Sequence, residues 1–194
     1  MYSKSSAAMN FGRSRQGYRN LSPPLPNSNL TNQKILSSTM EKIFAILHNI
    51  RSCYNVGAIF RTCDAIAIEK IYLTGYTPTP ERNPGKIRKT ALGAEKTVKW
   101  EYEKNVGKLI EKLKKEGIKI VALETEESAL PYFKFKPKFP LAILVGNEVR
   151  GINKRTLKKV DFIVKIPMFG KKESLNVAIA FSIFAYYLRK EALK

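Results

Sequence analysis

The chain has 194 residues, 44% of them apolar, enough for one domain with a sizeable core. Its 35 Lys and Arg against 16 Asp and Glu give a net charge of +19, a field that favours polyanions, nucleic acid ahead of anionic membrane, with a plain solubility surface as the other reading. Two cysteines, Cys53 and Cys63, outside CxxC spacing, and a single histidine, His48, exclude the usual zinc-site spacings and a disulfide-stapled secreted scaffold.

Residues 1–39 contain no Asp or Glu, are rich in Ser and Asn, and show neither a helical nor a strand period, so disorder is expected there. Three origins fit: a basic RNA-binding tail, an organellar transit peptide, or an over-extended start with Met40 as the initiator. The folded part is expected at 40–194. IFAILHNI (43–50) reads as a buried strand, with His48 as a core or strand-end histidine. YNVGAIFRTCDAIAI (54–68) reads as a helix whose stripe is Val56, Ile59, Phe60, Cys63 and Ala67. KIYLTGY (70–76) is the next strand. The following segment, to about residue 104, reads as loop with a short helix near Ile87–Leu92. NVGKLIEKLKKEG (105–117) is an amphipathic helix with Val106, Leu109, Ile110 and Leu113 inward and Gly117 as its stop. IKIVALE, LAILVG and DFIVKIP are strands, with a short basic helix at 153–159 between the last two. A final helix is expected over about 174–190. The longest apolar run, 175–188, is broken by Asn176 and Ser182 and falls short of the ~20 residues a membrane span needs.

Continuous Ile/Val/Leu strands separated by helices predict an α/β fold, a parallel sheet flanked by helices on both faces. Ligands in such sheets sit in the loops after the carboxyl ends of the strands. Three of those loops carry polar residues. The first, HNIRSCYNVGAIFRTCDA, supplies Asn49, Arg51, Asn55 and Arg61, with Arg61 off the apolar stripe of its helix. The second, LVGNEVRGI (144–152), runs a buried strand into Gly146, where a ligand can approach the backbone, and then Asn147 and Glu148. The third, IPMFGKKESLNVAIAFSIFAYYL (166–188), places Glu173, Ser174 and Asn176 at the mouth of an apolar helix, with Ser174 or Glu173 as its cap. That helix is apolar on nearly all sides, so it must be buried on every face, by ordinary core or by a second subunit.

Several chemistries are excluded. There is no GxGxxG, and FGKKES fails as a phosphate loop because the required glycine position is Lys165. No GxSxG surrounds a serine, and a Ser-His-Asp hydrolase would depend wholly on His48. KIRK (86–89), RGINKRTLKK (150–159) and Lys171–Lys172 flank the loops and suit a phosphate backbone. YFKFKPKF (132–139) alternates aromatic and basic residues, but reads as a linker into the next strand rather than a stacking platform.

The motifs NVGAIFRTCDA, LVGNEVRGI and IPMFGKKESLNVAIAFSIFAYYL, in that order, with KTALGAEKTVKW between the first two, resemble the SpoU (TrmH-like) RNA ribose 2′-O-methyltransferases of the SPOUT superfamily. The resemblance covers about residues 43–190. It implies a deep trefoil knot near the C-terminus and a homodimer; no metal is expected, since the single histidine and the cysteine spacing offer no zinc site. It implies S-adenosylmethionine as methyl donor, held by Leu123, Gly146, Ile166, Met168, Ser174 and Leu175, and tRNA or rRNA as substrate in the cytoplasm, or in an organelle if 1–39 is a transit peptide. Residues 1–39 are too short and polar to form the extra RNA-binding domain of several members. The resemblance points to Arg61, Asn55, Glu148, Ser174 and Asn176 as the catalytic set. Arginine stays charged, with a pKa above ~12, so Arg61 is expected to position a phosphate and stabilise developing negative charge; whether it also accepts the proton is open. A non-enzymatic RNA-binding or RNP-assembly protein is the alternative reading.

Overall fold

In the computed structural model, residues 41–194 are described; the expectations for 1–39 lie outside them. The elements in chain order are β1 (Ile43–His48), α1 (Cys53–Ala65), β2 (Lys70–Thr74), α2 (Pro84–Ala91), α3 (Ala94–Thr97), β3 (Trp100–Glu103), α4 (Val106–Lys115), β4 (Lys119–Leu123), β5 (Leu130–Pro131), β6 (Leu141–Val145), α5 (Lys154–Leu157), β7 (Phe162–Lys165) and α6 (Val177–Glu191), with a single 3-10 turn at Tyr132–Lys134. The sheet order is β3-β2-β1-β6-β4-β7-β5, and every ladder is parallel.

Period-two alternation divides the strands between two cores. Ile43, Ala45 and Leu47 of β1 join Leu141, Ile143 and Val145 of β6 under α1, α2 and α6. Phe44 and Ile46 join Ala142 and Leu144 on the opposite face, under Val106, Leu109, Ile110 and Leu113 of α4. Both faces are covered, which is why the central strands carry no polar alternation. Two strands went unanticipated. Trp100 and Tyr102 of β3 pack against the core while Glu101 bridges to Lys70 and Lys112, so this edge strand has one salted face. β5 is two residues long and contains Pro131, which fits only an edge.

The polar loops are aligned by register. Leu47 pairs with Val145, Ala122 with Leu144, and Leu123 with Val164, so β1, β6, β4 and β7 end level on one edge. After β1 the chain moves outward through β2 and β3. Beyond β6 the sheet continues through β4 and β7. The order therefore reverses between β1 and β6, and a crevice opens at their carboxyl ends.

The last helix is covered by its own chain on one face only. Phe181, Phe184 and Leu188 are fully buried, but Ile179 is 53% and Tyr186 55% exposed. One face meets the core and the other is left about half exposed by the described residues, so the chain's own core accounts for only part of the helix's apolar surface. Arg189, near its C-terminus, is buried and donates to the carbonyls of Ile66 (2.8 Å), Ala67 (2.8 Å) and Glu41 (3.1 Å). Ala67 adopts a left-handed φ of 53° at the turn that these bonds brace.

Candidate functional site

Glu148 follows β6 and Ser52 follows β1, so the sheet reversal puts them face to face. Glu148 accepts from the backbone N–H of Arg51 (2.9 Å) and Ser52 (3.0 Å) and from Asn55 Nδ2 (2.9 Å). Half-burial alone would raise its pKa, but these donors outweigh that and hold the carboxyl below its ordinary value. Ser52 caps α1 through its Oγ to the Asn55 N–H (3.3 Å), which fixes Asn55 in the first turn. The Asn55 Oδ1 then accepts from Asn176 Nδ2 (3.1 Å), and Asn176 Oδ1 accepts from the N–H groups of Ala178 (2.9 Å) and Ile179 (3.4 Å). Asn176 is thus the cap of α6. Glu173 and Ser174, expected in that role, precede it in the loop: Asn176 is the residue with extended ψ, 138°, just before helical geometry begins.

Beside this chain of bonds lies a cavity of about 320 Å³ at the ends of β4, β6 and β7. Its wall includes all six residues expected at a cofactor site: Leu123, Gly146, Ile166, Met168, Ser174 and Leu175. Glu148 and Asn176 line it too, and so does Glu173. Arg61 does not: it is exposed on α1, outside the lining. The structure brings Asn55, Glu148, Asn176 and Ser174 to one place and leaves Arg61 apart.

Three residues without an assigned role organise the site. Asn147 is buried, and its amide uses every hydrogen-bonding direction: Nδ2 donates to the Asn49 carbonyl and to the Tyr76 hydroxyl (3.0 Å each), and Oδ1 accepts from the N–H of Val149 (3.1 Å) and Arg150 (2.8 Å). It ties the loops after β1, β2 and β6 together. Glu124, at the end of β4, accepts from the Ile152 N–H (2.7 Å) and so holds the far end of the 146–152 loop. His48 is buried between Thr74 Oγ1 (2.9 Å) and Asn49 Nδ2 (3.1 Å). Asn49 Oδ1 accepts from the Tyr76 N–H, so its amide nitrogen donates to His48 Nε2, leaving the proton on Nδ1. The ring is therefore neutral, and burial lowers its pKa in agreement.

Glycines set the close approaches. A Cβ on Gly146 would lie 2.5 Å from Ile152 Cγ1 and 2.7 Å from the Gly151 backbone, so here the chain itself approaches Gly146. A Cβ on Gly57 would run into the Ile87 carbonyl and Thr90 Oγ1, which explains the glycine in NVGAIFR: it lets α1 and α2 cross closely.

Among the described residues, no group of three or more His, Cys, Asp or Glu could hold a metal, and no helix is long and apolar enough to cross a membrane. YFKFKPKF behaves as a linker, with Phe135 buried and Tyr132 and Phe139 packed on the core while Lys134, Lys136 and Lys138 are exposed.

A model of the SpoU rRNA Methylase family matches residues 42–186. The 23S rRNA (guanosine(2553)-2′-O)-methyltransferase RlmP of Bacillus subtilis is 32% identical over 135 residues, 70% of this chain and 53% of that protein. The tRNA (guanosine(18)-2′-O)-methyltransferase of Thermus thermophilus is 27% identical over 165 residues, 84% of this chain and 81% of that enzyme. Among solved structures, the AdoMet-bound rRNA methyltransferase from Sinorhizobium meliloti superposes with a TM-score of 0.73 at 25% identity, covering 80% of this chain and 59% of that one. The chain thus spans about half the length of the Bacillus relative and about four-fifths of the Thermus one.

Proposed function

The chain belongs to the SpoU rRNA methylase family, and from that premise we propose that residues 40–194 form a catalytic domain that transfers a methyl group from S-adenosylmethionine to a ribose 2′-hydroxyl of tRNA or rRNA. The observation that carries this reading is the cavity at the ends of β4, β6 and β7, in which the six expected cofactor residues share a wall with Glu148 and Asn176.

The cavity suits such a donor. Leu123, Ile166, Met168 and Leu175 supply apolar surface for a flat ring and a thioether-like chain, with polar groups at the Glu148 and Ser174 side. When bound, the donor supplies an electrophilic methyl group. The protein's own residues do the rest. The Glu148 carboxylate, engaged by three donors that favour its ionised form, acts as an anchor: it orients Asn55 and the Arg51–Ser52 backbone rather than abstracting a proton. Asn176 carries that order to the loop holding Ser174 and Leu175. The acceptor hydroxyl is a poor nucleophile, so developing negative charge must be stabilised. Arg61 is proposed for that task, as a fixed positive charge that meets the RNA. Its position outside the cavity requires that the RNA, or a second copy of the chain, complete its approach.

We propose a homodimer on the same grounds. Ile179 and Tyr186 are spaced by two turns on the uncovered face of α6, and a second copy would remove this apolar surface from water. The family also implies the trefoil knot in the C-terminal part. Incubation with isotope-labelled S-adenosylmethionine and unmodified bulk tRNA or rRNA, followed by digestion to nucleosides, tests the reaction. A labelled 2′-O-methylnucleoside is expected. Absence of both label and donor binding favours the RNA-binding alternative.

A further inference from the structure

A second cavity, of about 550 Å³, opens beside the first, bounded by Arg51, Tyr76, Asn147, Val149 and Arg150. Its lining residues include two arginines and no Asp or Glu. The two cavities share Asn147 and Val149, so they flank one stretch of backbone. We propose that this cavity holds a backbone phosphate of the RNA strand whose ribose is presented to the donor, clamped between Arg51 and Arg150 and capped by the Tyr76 hydroxyl. The proposal rests on the methyl-transfer reading and specifies how that site receives its substrate.

The chemistry of the lining selects for an anion with several acceptor oxygens. Guanidinium forks match phosphate oxygens in pairs. Tyr76 is prepared as a third donor. Its oxygen already accepts a hydrogen bond from Asn147 Nδ2 (3.0 Å), so its own proton is free to point elsewhere, and the residue is 58% exposed. Asn147 is buried and spends its other donor on the Asn49 carbonyl, so the phenol is held by a fixed group. Both arginines are anchored through their main chains: the Arg51 N–H is bound to Glu148 Oε2 and the Arg150 N–H to Asn147 Oδ1. The clamp and the cluster that orders Asn55 thus share the Arg51–Glu148 bond. The wider cavity at the start of α4 has Lys104, Lys108, Arg155 and Lys159, but Glu103 and Glu111 also line it, so its field is mixed.

The test measures RNA affinity separately from turnover, on the full chain. Arg51→Gln, Arg150→Gln and Tyr76→Phe are compared with Lys134→Gln, a charge loss beside the opposite edge strand, using unmodified bulk tRNA and rRNA as probes at several salt concentrations. Each arginine variant should bind RNA roughly tenfold more weakly and flatten the salt dependence by about 0.7–0.9 per lost phosphate contact. Tyr76→Phe should weaken binding several-fold without changing the slope, because no charge is lost. Donor affinity should stay at the wild-type value in all of them. If the three variants bind RNA as Lys134→Gln does, with the same slope, the clamp is refuted. If this pattern appears while the wild-type protein neither binds the donor nor transfers a methyl group to either RNA pool, the phosphate site stands and the enzymatic reading fails.

Discussion

Replacing Glu148 with Gln isolates the bond set that joins the two halves of the sheet. The carboxylate has two acceptor oxygens: Oε2 takes the Arg51 N–H, and Oε1 takes the Ser52 N–H and Asn55 Nδ2. An amide has one acceptor oxygen, so at least one N–H is left facing an NH2 group. A hydrogen bond to a charged acceptor contributes about 1.5–3 kcal/mol, and the retained bonds fall to neutral strength. Glu148 is half-buried, so solvent screening brings the sum to about 2 kcal/mol of folding stability. Urea unfolding at neutral pH reads it directly. The pH dependence supplies a second readout. The folded-state pKa of Glu148 lies below its ordinary 4.5, so its contribution is present above that value and is lost as pH falls through the folded pKa. The gap between wild type and Glu148→Gln should therefore close in acid. Methyl transfer should fall on the order of 10²-fold, because Asn55 loses its tether. Equal urea midpoints, or a gap that stays constant into strong acid, would refute the assignment of Glu148 as the ionised anchor.

Asn176→Ala should cost about 1 kcal/mol through loss of the α6 cap, whereas Asn176→Asp should keep stability yet lower transfer by facing the Asn55 oxygen with a carboxylate; thermal melts and turnover separate the two. Arg189→Met should lower stability by about 3 kcal/mol in urea unfolding, since three buried carbonyls lose a charged donor. His48 should titrate below 6.5 by NMR; the unfolded chain takes the proton first, so stability falls as pH drops below 6.5, and His48→Gln should remove that slope. Ile179→Glu combined with Tyr186→Glu should convert a dimer to a monomer by light scattering, with the melting curve of the monomer's own core preserved.

The central strands and the longer helices were legible because their signals are local. β1, β4 and β6 are continuous apolar runs, and α4 has a strict amphipathic period. β3 was hidden because WEYE has only four residues, and its alternation becomes meaningful only once Lys70 and Lys112 are placed beside Glu101. The cavity wall was legible through the motifs that carry the family resemblance. The cap of α6 was misplaced by two to three residues because Ser174 is as acceptable a cap as Asn176, and the choice falls to Asn176 through its partner Asn55, 121 residues away in sequence. Asn147 was visible only as a polar residue of the second loop, and Glu124 had no local signal. Their roles arise from loops that meet only after the sheet closes.

The most direct measurement of the central claim is the fate of a labelled methyl group. The wild-type chain, incubated with labelled S-adenosylmethionine and unmodified tRNA or rRNA, should yield labelled 2′-O-methylnucleoside in at least one pool, and Glu148→Gln should yield far less. A chain that binds neither donor nor incorporates label, while still binding RNA, would contradict the account.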